Sequence, residues 1–448
     1  MKKFKINKKM AIFLFVIVFL NGIFYYVYFG KSYAVFESNK KFNVINGTVS
    51  DPGDIYFAYY VDGEITRDMP KQNTGYTLNK EKSNCTNGVV PNWNNASWTF
   101  QANYSGYNAT DYTRTRCNLY FEKTSKVVST VIGDIDVNTY TPDFTKSACD
   151  DSTCESHEKG IYETQDGDGT SYYYRGSVEN NYVKFAGFYW RIIRINGNGS
   201  IRIIYDGTVA HDNGEASEDR YYSKTNYNST ASDNMYVGYM YTSGQVHGTG
   251  TSSLIKTSND NFYKDKLINY DNYIDTNTGF CGDRSVISSN TGTGTGSNYT
   301  LYGGYERLLK SQPSLECEST SDYYTVNGSS KGNKALSYPV GLVTMDEVMY
   351  AGYAGGFSSG GYVLTAPNIN SYINIGFNFY TMTPIGFLWP TNWTNGSYAM
   401  IYYIDARSIN DIDPQTHYSF GLRPVINLKS TLSVNGSGTK NNPFIFTA

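Results

Sequence analysis

The densest set of chemistry-bearing residues lies between Trp389 and Tyr418. Trp389, Trp393, Tyr398, Tyr402, Tyr403, Asp405, Arg407, Asn410, Asp411, Asp413, His417 and Tyr418 combine flat aromatic faces with carboxylate, guanidinium and amide tips. That mixture suits recognition of a carbohydrate or a protein, because rigid rings give contact area at low entropic cost and polar neighbours fix orientation. With 44 tyrosines in the chain, the same rings also serve as ordinary core or surface. Hydrolysis is a competing chemistry. Asp405, Asp411 and Asp413 include a carboxylate pair for glycoside cleavage, but aspartates flanking a turn are more often turn formers. His157, His211, His247 and His417 sit in separate segments, without a Gly-x-Ser-x-Gly turn, a His-Glu-x-x-His helix or a nearby catalytic cysteine. The reading is a ligand-binding, adhesin-like surface protein that is not an enzyme and needs no cofactor. Its alternatives are a structural envelope protein and a glycoside hydrolase.

The N-terminus assigns the compartment. Lys2, Lys3, Lys5, Lys8 and Lys9 precede an uncharged, mostly apolar run from Met10 to Gly30. A basic flank stays cytoplasmic, and a run of this length crosses a bilayer core of about 30 Å. Residues 1–34 therefore read as a transmembrane anchor or a signal peptide. Phe24 to Phe29 lengthens the run as an anchor requires, while Ser32-Tyr33-Ala34 offers small residues for cleavage after Ala34. Either way the remainder lies on the extracellular side, held at the membrane by its N-terminal helix or secreted.

Cysteine usage agrees with export. The six cysteines fall into three sequence-local couples, Cys85 with Cys117, Cys149 with Cys154 and Cys281 with Cys317, one of fifteen pairings that the sequence leaves open. No metal site is expected: Cys149 and Cys154 lack a second ligand pair, and His157 stands alone. Asp166-Gly167-Asp168-Gly169 lacks the other ligands of a calcium loop and reads as a turn.

Composition favours strands with polar turns: 44 tyrosines, 43 glycines and 12 prolines in 448 residues, with abundant Asn, Ser and Thr. Without its first nine residues, which carry five lysines and no acid, the chain's formal charge falls from −3 to about −8. An acidic exterior disfavours nucleic acid as a partner. Residues 36–126 read as a small all-β sandwich, with Tyr56 to Val61, Trp98 to Ala102 and Cys117 to Phe121 among its strands. Residues 127–171 form a connector. A larger α+β domain occupies 172–448, opening on a β-hairpin whose arms run from Tyr182 to Ile195 and from Ser200 to Tyr205 about Asn196-Gly197. Two helices are expected, one capped by Ser258 and one opened by the capping box Thr344-Met345-Asp346-Glu347. Cys281 and Cys317 bracket the loop between them.

An ordered series then carries a resemblance. Tyr380-Thr381-Met382-Thr383-Pro384, the aromatic block Phe387 to Trp393, the strand Tyr398 to Ile404 and Phe420-Gly421-Leu422-Arg423-Pro424-Val425-Ile426 follow Tyr338-Pro339-Val340-Gly341-Leu342 and the Trp190 hairpin. Over 172–448 this series resembles uncharacterised surface proteins of Gram-positive and Mollicute-like bacteria that share a C-terminal domain of unknown function. Their cores look like the C-type lectin fold in its formylglycine-generating-enzyme-like version, and a cysteine module like the one here precedes the domain. The resemblance implies a C-type-lectin-like domain in which Arg423 is structural, its guanidinium fork holding loop carbonyls or a carboxylate. It does not extend to the copper-dependent oxidation of the catalytic branch, because no cysteine follows Cys317.

Overall fold

The computed structural model describes residues 56–71, 76–79, 82–94, 99–103, 115–123, 126–133, 135–148, 159–287, 292–327, 331–354, 357–358, 361–362, 371–388, 397–404 and 415–447. The chain divides into two compact units, 1–123 and 124–448. The N-terminal anchor or signal and the Cys149–Cys154 couple lie outside the described residues. Among the described residues no helix is long and apolar enough to cross a membrane.

In the first unit, Tyr56–Val61, Glu64–Thr66, Tyr76–Leu78, Asn84–Cys85 and Arg116–Lys123 form one sheet. Its central pair, Tyr56–Val61 with Arg116–Lys123, is parallel. The hairpin Val90–Asn94 with Thr99–Asn103 packs onto it, placing Phe100 5.0 Å from Phe57 and Trp93 5.4 Å from Phe121, both edge to face. Cys85 and Cys117 are direct cross-strand neighbours and are bridged.

The second unit is built on two sheets. A seven-stranded sheet runs in the order Val425–Leu428, Ile201–Gly207, Phe188–Ile195, Gly169–Arg175, Gly160–Asp166, Val137–Asn138, with Tyr182–Phe185 also paired to Phe188–Ile195. A five-stranded sheet joins Ser223–Asn226, Ser419–Leu422, Phe379–Leu388 and Thr300–Leu301, with Tyr398–Ile404 alongside Phe379–Leu388. Each contains one parallel pair. Trp190, Ile192, Ile203, Phe262, Val343, Phe379, Ile401 and Ile426 belong to one continuous apolar core spanning both sheets.

Several expectations are corrected. The chain is not α+β: strands make up 37% and helices 16% of it, and its three larger sheets each mix parallel and antiparallel pairs. The aromatic and β-branched bias that sequence assigns to strands extends through most of the large unit. The expected hairpin is a three-stranded meander, because Ala186 and Gly187 take positive φ of 53° and 81° and turn the chain between Phe185 and Phe188. The helix assigned to Ser258 is Leu254–Phe262, with Ser253 as its cap accepting from the Lys256 amide; it continues into a π-turn over Tyr263–Leu267. The Thr344 box forms with both of its reciprocal hydrogen bonds. Two strands of the large sheet, Val137–Asn138 and Gly160–Asp166, come from the stretch read as a connector. Asp166 closes a turn by accepting from the Asp168 amide.

Cys281 is bridged to Cys317. Disulfides form and persist in oxidising compartments, and the two bridges point to such an environment for this chain.

Candidate functional site

The described residues enclose an open polar cleft of about 440 Å³, lined by Ser177, Glu179, Tyr182, Asp212, Asn213, Thr439, Lys440 and Asn441. Its walls come from three separate loops, and buried arginines fix two of them. Arg191, on strand Phe188–Ile195, donates from Nε to Asn181 Oδ1 at 2.7 Å and from Nη2 to the Val178 carbonyl at 3.0 Å and Asn213 Oδ1 at 2.7 Å. Asn213 returns its Nδ2 to the same Val178 carbonyl at 3.0 Å. One guanidinium thus ties the 177–182 wall to the 212–213 wall. Its carbon lies 3.7 Å from the Tyr182 ring centroid, a cation–π contact beneath the floor.

Asp206, on the neighbouring strand Ile201–Gly207, gathers the other guanidiniums. Its Oδ1 accepts from Arg220 Nε at 2.8 Å and Arg423 Nη2 at 3.0 Å, and Arg191 Nη1 stands 3.9 Å from Oδ2. Arg220 also donates to the carbonyls of Asp212, Glu215, Asn374 and Tyr372. Arg423 donates to those of Tyr205 and Ile373. All four charged groups are buried. Burial, with Arg220 and Arg191 nearby, pulls the Arg423 guanidinium down to about 9 despite the Asp206 carboxylate.

His211 stabilises the second wall. Its Nδ1 lies 2.9 Å from Glu215 Oε1 and its Nε2 3.1 Å from Asp219 Oδ2. Glu215 also accepts from the Asp212 amide at 2.8 Å, and these two hydrogen bonds hold its carboxyl below the ordinary glutamate value. The Tyr182 hydroxyl donates to the His211 carbonyl at 2.8 Å. The third wall is the turn before Phe444. Tyr182 exchanges backbone hydrogen bonds with Gly438 and Phe444, and Gly438 at φ 72° lies so close to the Asn180 carbonyl that a side chain there would collide with it. Lys440 crosses the cleft to Asp212 Oδ1 at 2.7 Å, and this partner raises its ammonium pKa.

The described members of the Trp389–Tyr418 set do not line this cleft. Tyr402 is buried, packed with Leu388, Met400 and Tyr350 in a second apolar cluster. His417 and Tyr418 are half-buried in a turn, their rings 4.8 Å apart and their carbonyls taken by Asn226 and Tyr380. Trp389, Trp393, Asp405, Arg407, Asp411 and Asp413 lie outside the described residues. Arg423 sits in the guanidinium network described above.

Among the described residues no group of three or more His, Cys, Asp or Glu is arranged to hold a metal ion. His247 places Nδ1 2.8 Å from Asp322, whose other oxygen takes two donors from Arg284. Sequence reading does not assemble Arg191, Asp206, Arg220 and Arg423 because strand pairing, not a local motif, brings them together, and the i, i+4 spacing of His211 and Glu215 carries no recognised motif. The one local signal was the pairing of Arg191 and Arg194 with buried apolar neighbours on a strand. No protein-family model, no curated protein and no solved structure matches the chain.

Proposed function

We propose that this is an extracytoplasmic surface protein, tethered by its N-terminal segment or released after cleavage, that binds a carbohydrate or protein ligand without catalysis. The observation supporting it most directly is the cleft, whose hydrogen-bonding tips converge from three loops braced by buried guanidiniums and backbone pairing. A braced site loses little conformational freedom when a ligand arrives. The reading centres binding on this cleft because its lining is described and braced, whereas of the Trp389–Tyr418 set Tyr402 is buried and Trp389, Trp393, Asp405, Arg407, Asp411 and Asp413 lie outside the described residues.

A glycan and cell-surface binding screen on the full-length chain tests the reading. Retention lowered by Asp212→Ala and Lys440→Ala but unchanged by Tyr402→Phe supports it, and no retention on any surface favours a structural envelope role. One observation favours a second reading, glycoside hydrolysis: Glu179 and Asp212 line the same cleft. Release of nitrophenol from nitrophenyl glycosides, abolished by Glu179→Gln, would establish that chemistry and refute passive binding.

A further inference from the structure

We propose that the cleft takes an uncharged saccharide, an inference that rests on the binding reading above. Charge is the first selector. Glu179, Asp212 and Lys440 are the charged residues of the lining, leaving it one unit negative. A uronate, phosphate or sulfate entering here meets Glu179 and competes with Asp212 for a single ammonium. The guanidiniums of Arg191, Arg220 and Arg423 beneath the cleft offer no counter-ion to an incoming anion: all three are fully buried, converge on Asp206 and spend their other donors on backbone carbonyls and the side chains of Asn181 and Asn213.

Apolar surface is the second selector. Tyr182 is the aromatic residue of the lining, is only 3% exposed, and has Arg191 on one face. An apolar peptide anchor or a flat aromatic ligand finds nothing to bury against.

Hydrogen-bond polarity is the third. The side chains of Ser177, Glu179 and Asn441 engage no described partner, whereas both ends of the Asn213 amide are committed to Arg191 and Val178. Asn213 is therefore a positioning residue. Asp212 and Lys440 set an acceptor and a donor 2.7 Å apart. A sugar hydroxyl both donates and accepts, so one hydroxyl can give its proton to Asp212 while accepting from Lys440, and neither charge is left unpaired. Neighbouring hydroxyls then reach Glu179, Ser177 and Asn441.

The test presents the full-length chain in detergent micelles to an array of neutral oligosaccharides, uronate-bearing glycans and phosphorylated glycans, with an overlay on surface proteins. The expected result is retention on neutral glycans that changes little between about 0.05 and 0.5 M NaCl, since no charge pair forms with the ligand. Asp212→Asn and Lys440→Gln should each weaken it about ten-fold, the equivalent of one charge-assisted hydrogen bond. Asn441→Ala, on an exposed turn, should weaken it without disturbing the far-UV circular dichroism or thermal midpoint. Retention confined to charged glycans, or to protein, overturns the neutral-saccharide assignment while leaving the binding reading in place. Neutral-glycan retention indifferent to all three substitutions overturns the cleft as its site, and no retention of any kind removes both readings.

Discussion

Asp206→Asn isolates the charge at the centre of the guanidinium network. Asparagine keeps the shape of the side chain and one acceptor oxygen, so no cavity forms. What is removed is the negative charge shared by Arg191, Arg220 and Arg423, at 3.9, 2.8 and 3.0 Å. Taking one partner from a buried ion pair costs about 3–5 kcal/mol. The retained oxygen can still accept one hydrogen bond, worth about 1 kcal/mol, which places the loss nearer 3 kcal/mol. With a urea dependence of about 3 kcal/mol per M, the unfolding midpoint should fall by about 1 M. Urea titration at pH 7, followed by tryptophan fluorescence with Trp190 buried in the same sheet, reads this directly. A midpoint within about 0.3 M of wild type, equivalent to under 1 kcal/mol, would refute the claim that this carboxylate anchors the three arginines.

Three further outcomes are expected. Replacing Cys281 and Cys317 by serine releases a cross-link between residues 36 apart and should cost about 4 kcal/mol in the chain-entropy treatment, read as a lower urea midpoint matched by wild type under reductant. Burial acts to raise the Glu347 carboxyl, but Arg202 and Arg194 outweigh it and hold the group below its ordinary 4.5. The stability this group supplies is therefore present above about pH 4.5 and lost as pH falls through the lower folded value, so the gap between wild type and Glu347→Gln should close toward acid; parallel pH profiles would contradict the assignment. Tyr402→Ala should lower stability by about 3 kcal/mol or more as a core truncation while leaving native-state ligand retention unchanged.

The features legible in the sequence are those that depend on near neighbours. Thr344 and Glu347 are three residues apart, so their capping box is written locally, as is the turn at Asp166. Cys85 and Cys117 were coupled by proximity and meet in strand register. The Ala186 turn was missed because a non-glycine residue at positive φ gives no compositional sign. Ser253 was passed over for Ser258 because the helix extends through a π-turn, which shifts the apparent three- and four-residue period. The cleft was illegible for a different reason: its walls are about 30 and 230 residues apart along the chain, and none of Glu179, Asp212 and Lys440 belongs to a local motif. Tyr402 was misread because ring type alone does not say which sheet face is covered.

The arginines explain how loops this polar hold a fixed shape. A loop tied down by apolar contacts needs side chains that also pack, and 176–182, 208–219 and 436–444 have few. Buried guanidinium forks, from a strand for Arg191, a 3-10 turn for Arg220 and the link between two strands for Arg423, act instead on main-chain oxygens: Arg191 on Val178, Arg220 on Asp212 and Glu215, Arg423 on Tyr205 and Ile373. Those carbonyls have no titration of their own and do not depend on local sequence, so surface positions such as Ser177, Glu179 and Asn441 are left free to be chosen for a ligand. Each arginine is fully buried and needs a neutralising partner; from one strand position Asp206 accepts from Arg220 and Arg423 and lies 3.9 Å from Arg191. The core thereby carries the cost of organising the cleft, and ligand affinity rests on tips that are ordered before binding.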